Sequence, residues 1–419
     1  MLMLPATSRA KQAGAAVGRM GLRGSTILIK FCVSLFLARY YELDVLGAYG
    51  LIAGLTAVVP VFLQMGVFNA VLRDSVTLSP QAFAQELNQY YVVMGLNYFV
   101  LAGAASVALP LFFPELSVGS SSLIVLIVMV EQLGIEAFSL LTYRGRLAAG
   151  LRVGLAQGLC WAVPLMVVSL LIPSARTLDT VLICWAAGAF VPIFWLLARL
   201  KAYIEPQYIS AKSLQWFRGK ARAYRSLYIS DLTECAAQYV DRYIIGFAFG
   251  LSELGIYFLF IQASNAIFNL VNSGVIQSFR PSLIAAYFNR DHDSVTRVSS
   301  RLWRDTLGAL AIMSVICGFT FPYVLSFVTP LGGSELLLWG ILGAMICKVA
   351  YFLNIIDIYA RREDRYLLIC NMAVLFLVIC ISLAAVPFGN LLLFPLANGV
   401  AYLLVISAKS AATSGRAIA

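Results

Sequence analysis

The sequence predicts an all-α polytopic membrane protein. It has about twelve transmembrane helices in two six-helix halves, a parallel pseudo-repeat around a central hydrated cavity. Three observations carry that prediction. Of 419 residues, 61% are hydrophobic and 12% are charged, against about 45–50% and about 25% in soluble globular chains. The apolar residues run continuously instead of alternating, which argues against a strand-built outer-membrane barrel. The basic residues alternate between connections, as they do in multi-pass proteins. A soluble enzyme, a disordered chain and a fibrous chain are excluded.

The apolar runs place spans at about 21–41, 47–72, 89–113, 119–142, 147–172 and 177–198 in the first half. In the second half they fall at about 226–249, 254–279, 305–328, 334–360, 366–387 and 391–408. Charges, Gly/Pro pairs or both mark the ends of each. The first span carries Lys30 and Arg39 and lacks a small-residue cleavage site, so it reads as a retained helix and not a signal peptide. Pro60, Pro164, Pro192, Pro322 and Pro395 interrupt spans, as kinks that bend in gating or as ordinary features of membrane helices.

Orientation follows from the basic residues. With the N-terminus placed inside, twenty-five of the 30 lysines and arginines fall in inside segments and only Arg176 falls outside. The other four, Lys30, Arg39, Arg242 and Lys348, lie within or at the edges of spans. A missed or extra helix would scramble this alternation. Both termini are therefore expected in the cytoplasm. The net charge of +10 reports topology, not a nucleic-acid partner.

The longest connection, 201–225, is basic and divides the chain near its middle. It separates an N-terminal half, residues 1–200, from a C-terminal half, residues 226–419. The halves look related. The stretch Leu43–Leu51 (LDVLGAYGL) aligns with Leu251–Leu259 (LSELGIYFL), with five of nine positions identical at an offset of 208, and Gly66 meets Gly274 at the same offset. Six helices per half give both halves the same orientation, a repeat about an axis along the membrane normal.

Charge inside hydrocarbon costs roughly 2.5–3.5 kcal/mol per residue at a helix centre. Yet Lys30, Arg39, Glu131, Glu136, Asp231, Glu234, Asp241, Arg242, Lys348 and Asp357 all lie within or at the edges of spans. They must face one another or water. Asp231, Glu234, Gln238 and Asp241 are spaced i, i+3, i+7, i+10, which places them on one helix face. Gln262, Asn265, Asn269 and Asn272 repeat that spacing on the next span. The amide stripe is either a ligand surface or interhelical hydrogen-bonding glue. Lys30 and Lys348 have no partner at i±3 or i±4. Each needs a partner from another helix, such as Asp231 or Glu234 for Lys30, or an anionic ligand. Arg242 beside Asp241 reads as a structural ion pair, and Asp357 with Arg361 as an i,i+4 boundary pair.

Catalytic chemistry finds little support. The single histidine, His292, lies in a predicted loop, which argues against zinc and against His-based acid/base work. The eight cysteines fall in hydrophobic segments without a C-x-x-C pair. Asp291-His292-Asp293 is the one D-x-D and sits among basic loop residues, and no phosphate-binding G-x-x-x-x-G-K-[ST] occurs. No catalytic residue, resident metal or cofactor is expected.

Several ordered motifs resemble the Wzx-type polysaccharide flippases, within the multidrug/oligosaccharidyl-lipid/polysaccharide superfamily. A basic N-terminus leads into Gly24–Lys30. Leu37-Ala38-Arg39-Tyr40-Tyr41 with Leu46-Gly47-Ala48-Tyr49 is similar to that family's opening pattern. Asp241-Arg242-Tyr243-Ile244-Ile245-Gly246 with Leu254-Gly255-Ile256-Tyr257, and then Arg280-Pro281, is similar to its pattern at spans seven and eight. The resemblance implies a non-enzymatic carrier in the bacterial inner membrane. It would flip undecaprenyl-pyrophosphate-linked oligosaccharide outward by alternating access, for O-antigen, capsule or exopolysaccharide synthesis. It implies that Lys30, Arg39 and Lys348 hold pyrophosphate, and that Gln262, Asn265, Asn269 and Asn272 meet sugar hydroxyls. Asp231, Glu234 and Asp241 would carry coupling protons or sodium. The implied partners are the lipid bilayer, a polysaccharide polymerase and a chain-length regulator, with no nucleic acid. Two other readings stay open: a cation-coupled multidrug exporter of the same superfamily, and a membrane-embedded glycan polymerase or ligase. The short predicted outer loops fit the enzyme poorly.

Overall fold

The computed structural model describes residues 6–74, 78–112, 117–143, 147–200, 212–328, 335–361 and 363–417. Among these residues the only regular elements are helices. The N-terminal half contains α1 (Ala6–Tyr40), α2 (Leu43–Gln64), α3 (Val67–Asp74), α4 (Pro80–Phe112), α5 (Val118–Tyr143), α6 (Leu147–Leu171) and α7 (Leu178–Leu200). After α8 (Ser213–Ala223), the C-terminal half contains α9 (Arg225–Phe249), α10 (Leu251–Val271), α11 (Gln277–Phe288), α12 (His292–Val328), α13 (Glu335–Ala360), α14 (Asp364–Ala385) and α15 (Leu393–Ala417). Every predicted span falls on a helix. Seven stretches are long and apolar enough to cross a membrane, and Leu178–Phe190 and Leu393–Ala408 are shorter apolar helices.

Three features within the spans depart from the expected plan. The span expected at 47–72 breaks in two: Met65 and Gly66 both take left-handed backbone (φ 48° and φ 71°), ending α2 and starting α3. Glycine suits that conformation because it has no Cβ to clash. At the repeat-equivalent place in the second half, Asn272–Ile276 forms a π-helical segment containing Gly274, between α10 and α11. Both second helices are thus interrupted at matching positions, and π segments commonly mark functional places. The third departure is Pro395. It lies in the first turn of α15, where its missing N–H costs no intrahelical bond, so it does not kink that helix.

The basic connection 201–225 is only partly described. Residues 201–211 lie outside the described residues, and the rest begins an amphipathic helix that the span pattern did not predict. This helix, α8, packs on α4 and α3. Phe217 is 3% exposed in the same apolar cluster as Phe68, Phe83 and Tyr90, and Lys220 pairs with Glu86 at 3.0 Å. Helix α12 begins thirteen residues before the expected span. Asp291 caps it by accepting the Ser294 N–H at 3.0 Å, the usual bond of an N-cap carboxylate. The bonds from Ser294 hold the Asp291 carboxyl below its ordinary value. The D-x-D stretch therefore serves as a helix cap.

Within the N-terminal half, α6 packs on α7 and α1, and α5 on α7, α6, α4 and α2. Within the C-terminal half, α14 packs on α9 and α15, and α13 on α15 and α12. The halves meet where α2 crosses α10 and α9, with α1 alongside α10. Tyr49, 3% exposed, joins the two halves. Its ring centroid lies 5.2 Å from that of Trp185 in the first half and 5.6 Å, edge-on, from that of Phe258 in the second. Large apolar side chains such as Leu171, Phe319, Phe327 and Phe376 point outward, as lipid-facing surfaces require.

Candidate functional site

The acidic face predicted on α9 lines three cavities that share wall residues. The largest, about 390 Å³, lies between the halves. Gln64, Gly66 and Asn69 form its wall at the α2–α3 break, and Tyr228, Asp231, Glu234 and Gln238 form the α9 wall. Two smaller cavities of about 120 Å³ and about 70 Å³ lie inside the second half, both among α9, α10, α13 and α15, the larger also reaching α14. Gln238 borders all three, Glu234 borders the first two, and Lys348 borders both small ones. Only the largest falls within the range of about 300–1,000 Å³ common to small-ligand pockets.

Each charged group on this face has its own degree of engagement. Asp231 receives one long hydrogen bond, from Asn69 Nδ2 at 3.4 Å across the halves. Glu234 receives one from Gln238 Nε2, also at 3.4 Å. Lys348 Nζ donates to Gln238 Oε1 at 3.2 Å and lies 5.4 Å from the Phe268 ring centroid. Gln238 thus stands between a carboxylate and an ammonium and bonds to both. These loosely held groups are available to a ligand.

Asp241 differs. It is 3% exposed. Its Oδ2 accepts from the Tyr257 hydroxyl at 2.7 Å and from Asn398 Nδ2 at 2.9 Å, and its Oδ1 from the Arg242 backbone N–H at 2.8 Å. With three donors this carboxylate ties α9 to α10 and α15. The expected side-chain ion pair between Asp241 and Arg242 is not formed. Adjacent residues on a helix point in different directions, and the Arg242 guanidinium instead lies over the Tyr239 ring at 4.5 Å and the Phe258 ring at 5.5 Å.

The amide stripe is divided. Asn265 borders the 70 Å³ cavity and Asn272 the 120 Å³ cavity, while Gln262 and Asn269 border none of the three. Lys30 and Arg39 are exposed on α1, also away from these cavities. The considered pairing of Lys30 with Asp231 or Glu234 is not formed, because α1 packs mainly on α6 and α10 and not on α9. The Asp357–Arg361 pair forms at 2.7 Å, and the Tyr287 hydroxyl from α11 bonds to Asp357 as well.

Several lining groups escaped the sequence pattern. Gln64, Asn69, Asn371, Asn398 and Tyr402 come from four helices, the last two both from α15. Gln64 and Asn69 are polar residues inside the apolar run 47–72, and that was the available signal.

An all-helical membrane fold with two packed halves and polar cavities at and beside their junction is a fold that solved structures share. The chain superposes on a multidrug resistance MATE family transporter of the MOP superfamily, in its inward-facing conformation, with a TM-score of 0.64 and 12% identity over 95% of this chain and 99% of the other. It superposes on the lipid II flippase MurJ, inward closed conformation, with a TM-score of 0.67 and 13% identity over 91% and 84%. A variant of the Vibrio cholerae MATE transporter VcmN gives 0.67 and 13% over 98% of both chains. No family model matches the chain, and no curated protein matches its sequence.

Proposed function

We propose that this protein is an alternating-access carrier that moves a lipid-linked oligosaccharide from the cytoplasmic to the outer leaflet of a bacterial inner membrane, with both termini cytoplasmic. The carrying observation is the cavity between the halves. Amide, hydroxyl and carboxylate groups (Gln64, Asn69, Tyr228, Asp231, Glu234, Gln238) line it. Such groups donate to and accept from sugar hydroxyls, whereas an isoprenoid tail can stay in the lipid outside. Among solved structures of this fold, MurJ is named a lipid II flippase, and lipid II is itself lipid-linked. Lys348 is the cation best placed to sense an anionic group near this face, while Lys30 and Arg39 would act on the pyrophosphate only along the outside of α1. Asp231 and Glu234, each with a single long hydrogen bond, are the residues proposed to exchange protons or sodium.

A second reading has its own support. The large cavity is bordered by two carboxylates and by no lysine or arginine, which suits a cationic drug, and MATE transporters share the fold. Inner-membrane vesicles from cells with and without the protein separate the readings. A sugar-specific reagent that cannot cross the bilayer would report the leaflet of the lipid-linked oligosaccharide. Accumulation on the cytoplasmic leaflet, relieved by the protein, supports the flippase. Unchanged sidedness with greater sensitivity to cationic drugs supports the exporter.

A further inference from the structure

A second carboxylate site lies in the first half, away from the cavities on α9. Glu136 on α5 is 1% exposed. Its Oε1 accepts three hydrogen bonds: from the Tyr90 hydroxyl at 2.6 Å, from Gln64 Nε2 at 2.8 Å and from Gln132 Nε2 at 3.0 Å. Its Oε2 and the buried hydroxyls of Tyr91 and Tyr98 make no hydrogen bond within 3.5 Å, although the Tyr91 hydroxyl lies close enough to Glu136 to interact with it. A buried carboxylate that leaves one oxygen empty beside two idle hydroxyls is a costly arrangement.

We infer that Glu136 binds and releases a proton at Oε2, and that Gln64 passes its state to the α2–α3 break beside the cavity between the halves. The donor geometry selects a proton over a metal cation. Three hydrogens already point at Oε1, and they would repel a cation there. A proton on Oε2 instead donates to the oxygen of one tyrosine, Tyr91 or Tyr98. Among the described residues no cation interacts with Glu136. Helix α4 presents Tyr90, Tyr91 and Tyr98. Helix α2 presents the neutral Gln64. On α5 itself, Glu131 is engaged by the Trp185 indole N–H of α7 at 2.7 Å. Helix α6 presents the amide Gln157, close to Gly134. No lysine or arginine is among the groups that interact with Glu136.

Gln64 makes this a device and not merely a buried acid. It is the last residue of α2, directly before the left-handed pair Met65–Gly66. It also borders the 390 Å³ cavity that holds Asp231. While Glu136 is ionised, the Gln64 bond is charge-assisted and pins the break to α5. Once Oε2 is protonated that bond becomes a neutral one, about half as strong, and the break is freer to move.

Infrared difference spectra of the purified full chain, recorded between alkaline and acid pH in sodium-free buffer, test this without any knowledge of the transported substrate. The expected result is a protonated-carboxyl band that Glu136→Gln removes and Asp231→Asn leaves in place. Amide exchange over residues 60–74 should then be faster in Glu136→Gln than in the wild type at alkaline pH. The proposal is overturned if no protonated-carboxyl band is lost in Glu136→Gln, or if the band lost in that variant responds to sodium at fixed pH in the wild type. Should Glu136→Gln fail to fold, Tyr91→Phe with Tyr98→Phe takes its place. Removing both hydroxyls must shift the band, and an unshifted band overturns the proposal. Because no step uses a substrate, failure here leaves the carrier reading standing, and failure of the carrier reading leaves this result interpretable.

Discussion

Gly47 and Gly255 stand backbone to backbone where α2 crosses α10, and their environments are mirror images in sequence. A Cβ added to Gly47 would overlap the Leu251 carbonyl oxygen and lie 3.2 Å from the Gly255 nitrogen. A Cβ added to Gly255 would overlap the Leu43 carbonyl oxygen and lie 3.2 Å from the Gly47 nitrogen. All four residues are related by the offset of 208. The repeat is therefore reciprocal in space at this crossing.

Gly47→Ala and Gly255→Ala are each expected to lower the thermal unfolding midpoint in detergent. Overpacking of this kind costs about 1–3 kcal/mol, and here the obstacle is backbone, which cannot rotate away. Gly343→Ala is the control. It lies on α13 with no atom within 4 Å of an added Cβ, and its midpoint should be unchanged.

Asp241 and Asp231 share one helix face but should behave oppositely. Asp241→Ala strands the Tyr257 hydroxyl and the Asn398 amide, at about 1–3 kcal/mol for each buried donor left unpaired. Unfolding should occur at lower temperature and less protein should reach the membrane. Asp231→Asn removes only one long hydrogen bond. Its stability should stay within about 0.5 kcal/mol of the wild type, while transport is lost. Unfolding and transport assays on the same two preparations check this contrast.

Lys348→Gln should leave the protein folded and slow transport. A charge-assisted hydrogen bond is worth about 1.5–3 kcal/mol, which corresponds to at least about a tenfold loss of rate if a ligand uses that charge in the limiting step. Normal transport by this variant would remove Lys348 from the site.

Helix α8 should depend on its apolar anchor more than on its charge. Phe217→Ala is expected to expose the connection around 201–225 to limited proteolysis, since emptying a buried phenylalanine site costs about 3–5 kcal/mol. Lys220→Ala should change little, because the partly exposed Lys220–Glu86 pair is worth about 0–1 kcal/mol.

Much of this design is legible in the sequence because periodicity survives in one dimension. The i, i+3, i+7 spacing of Asp231, Glu234 and Gln238 places them on one face, and that face borders the cavities. The offset of 208 forecast a repeat, and the crossing at Gly47 and Gly255 is its spatial form. What periodicity cannot carry is partnership across the chain. Asp241 looks equivalent to Asp231 in the stripe, yet Tyr257 and Asn398 occupy it, the latter 157 residues away. Lys30 looks like a cavity residue by composition, but the packing of α1 on α6 and α10 leaves it elsewhere. Glu136 was one intramembrane acid among several, and its tie to Gln64 spans 72 residues. Helix α8 was hidden because its hydrophobic face is one short stripe, well below the length of a span.

The most direct test of the central claim uses purified protein in proteoliposomes. A fluorescent undecaprenyl-pyrophosphate oligosaccharide would be supplied on one side, and a fluorescent cationic dye in a parallel experiment. The proposal predicts that the wild type moves the oligosaccharide headgroup to the opposite leaflet and that Asp231→Asn does not. Dye accumulation with the oligosaccharide left in its original leaflet would contradict it, and would make the acidic cavity a site for cationic substrates.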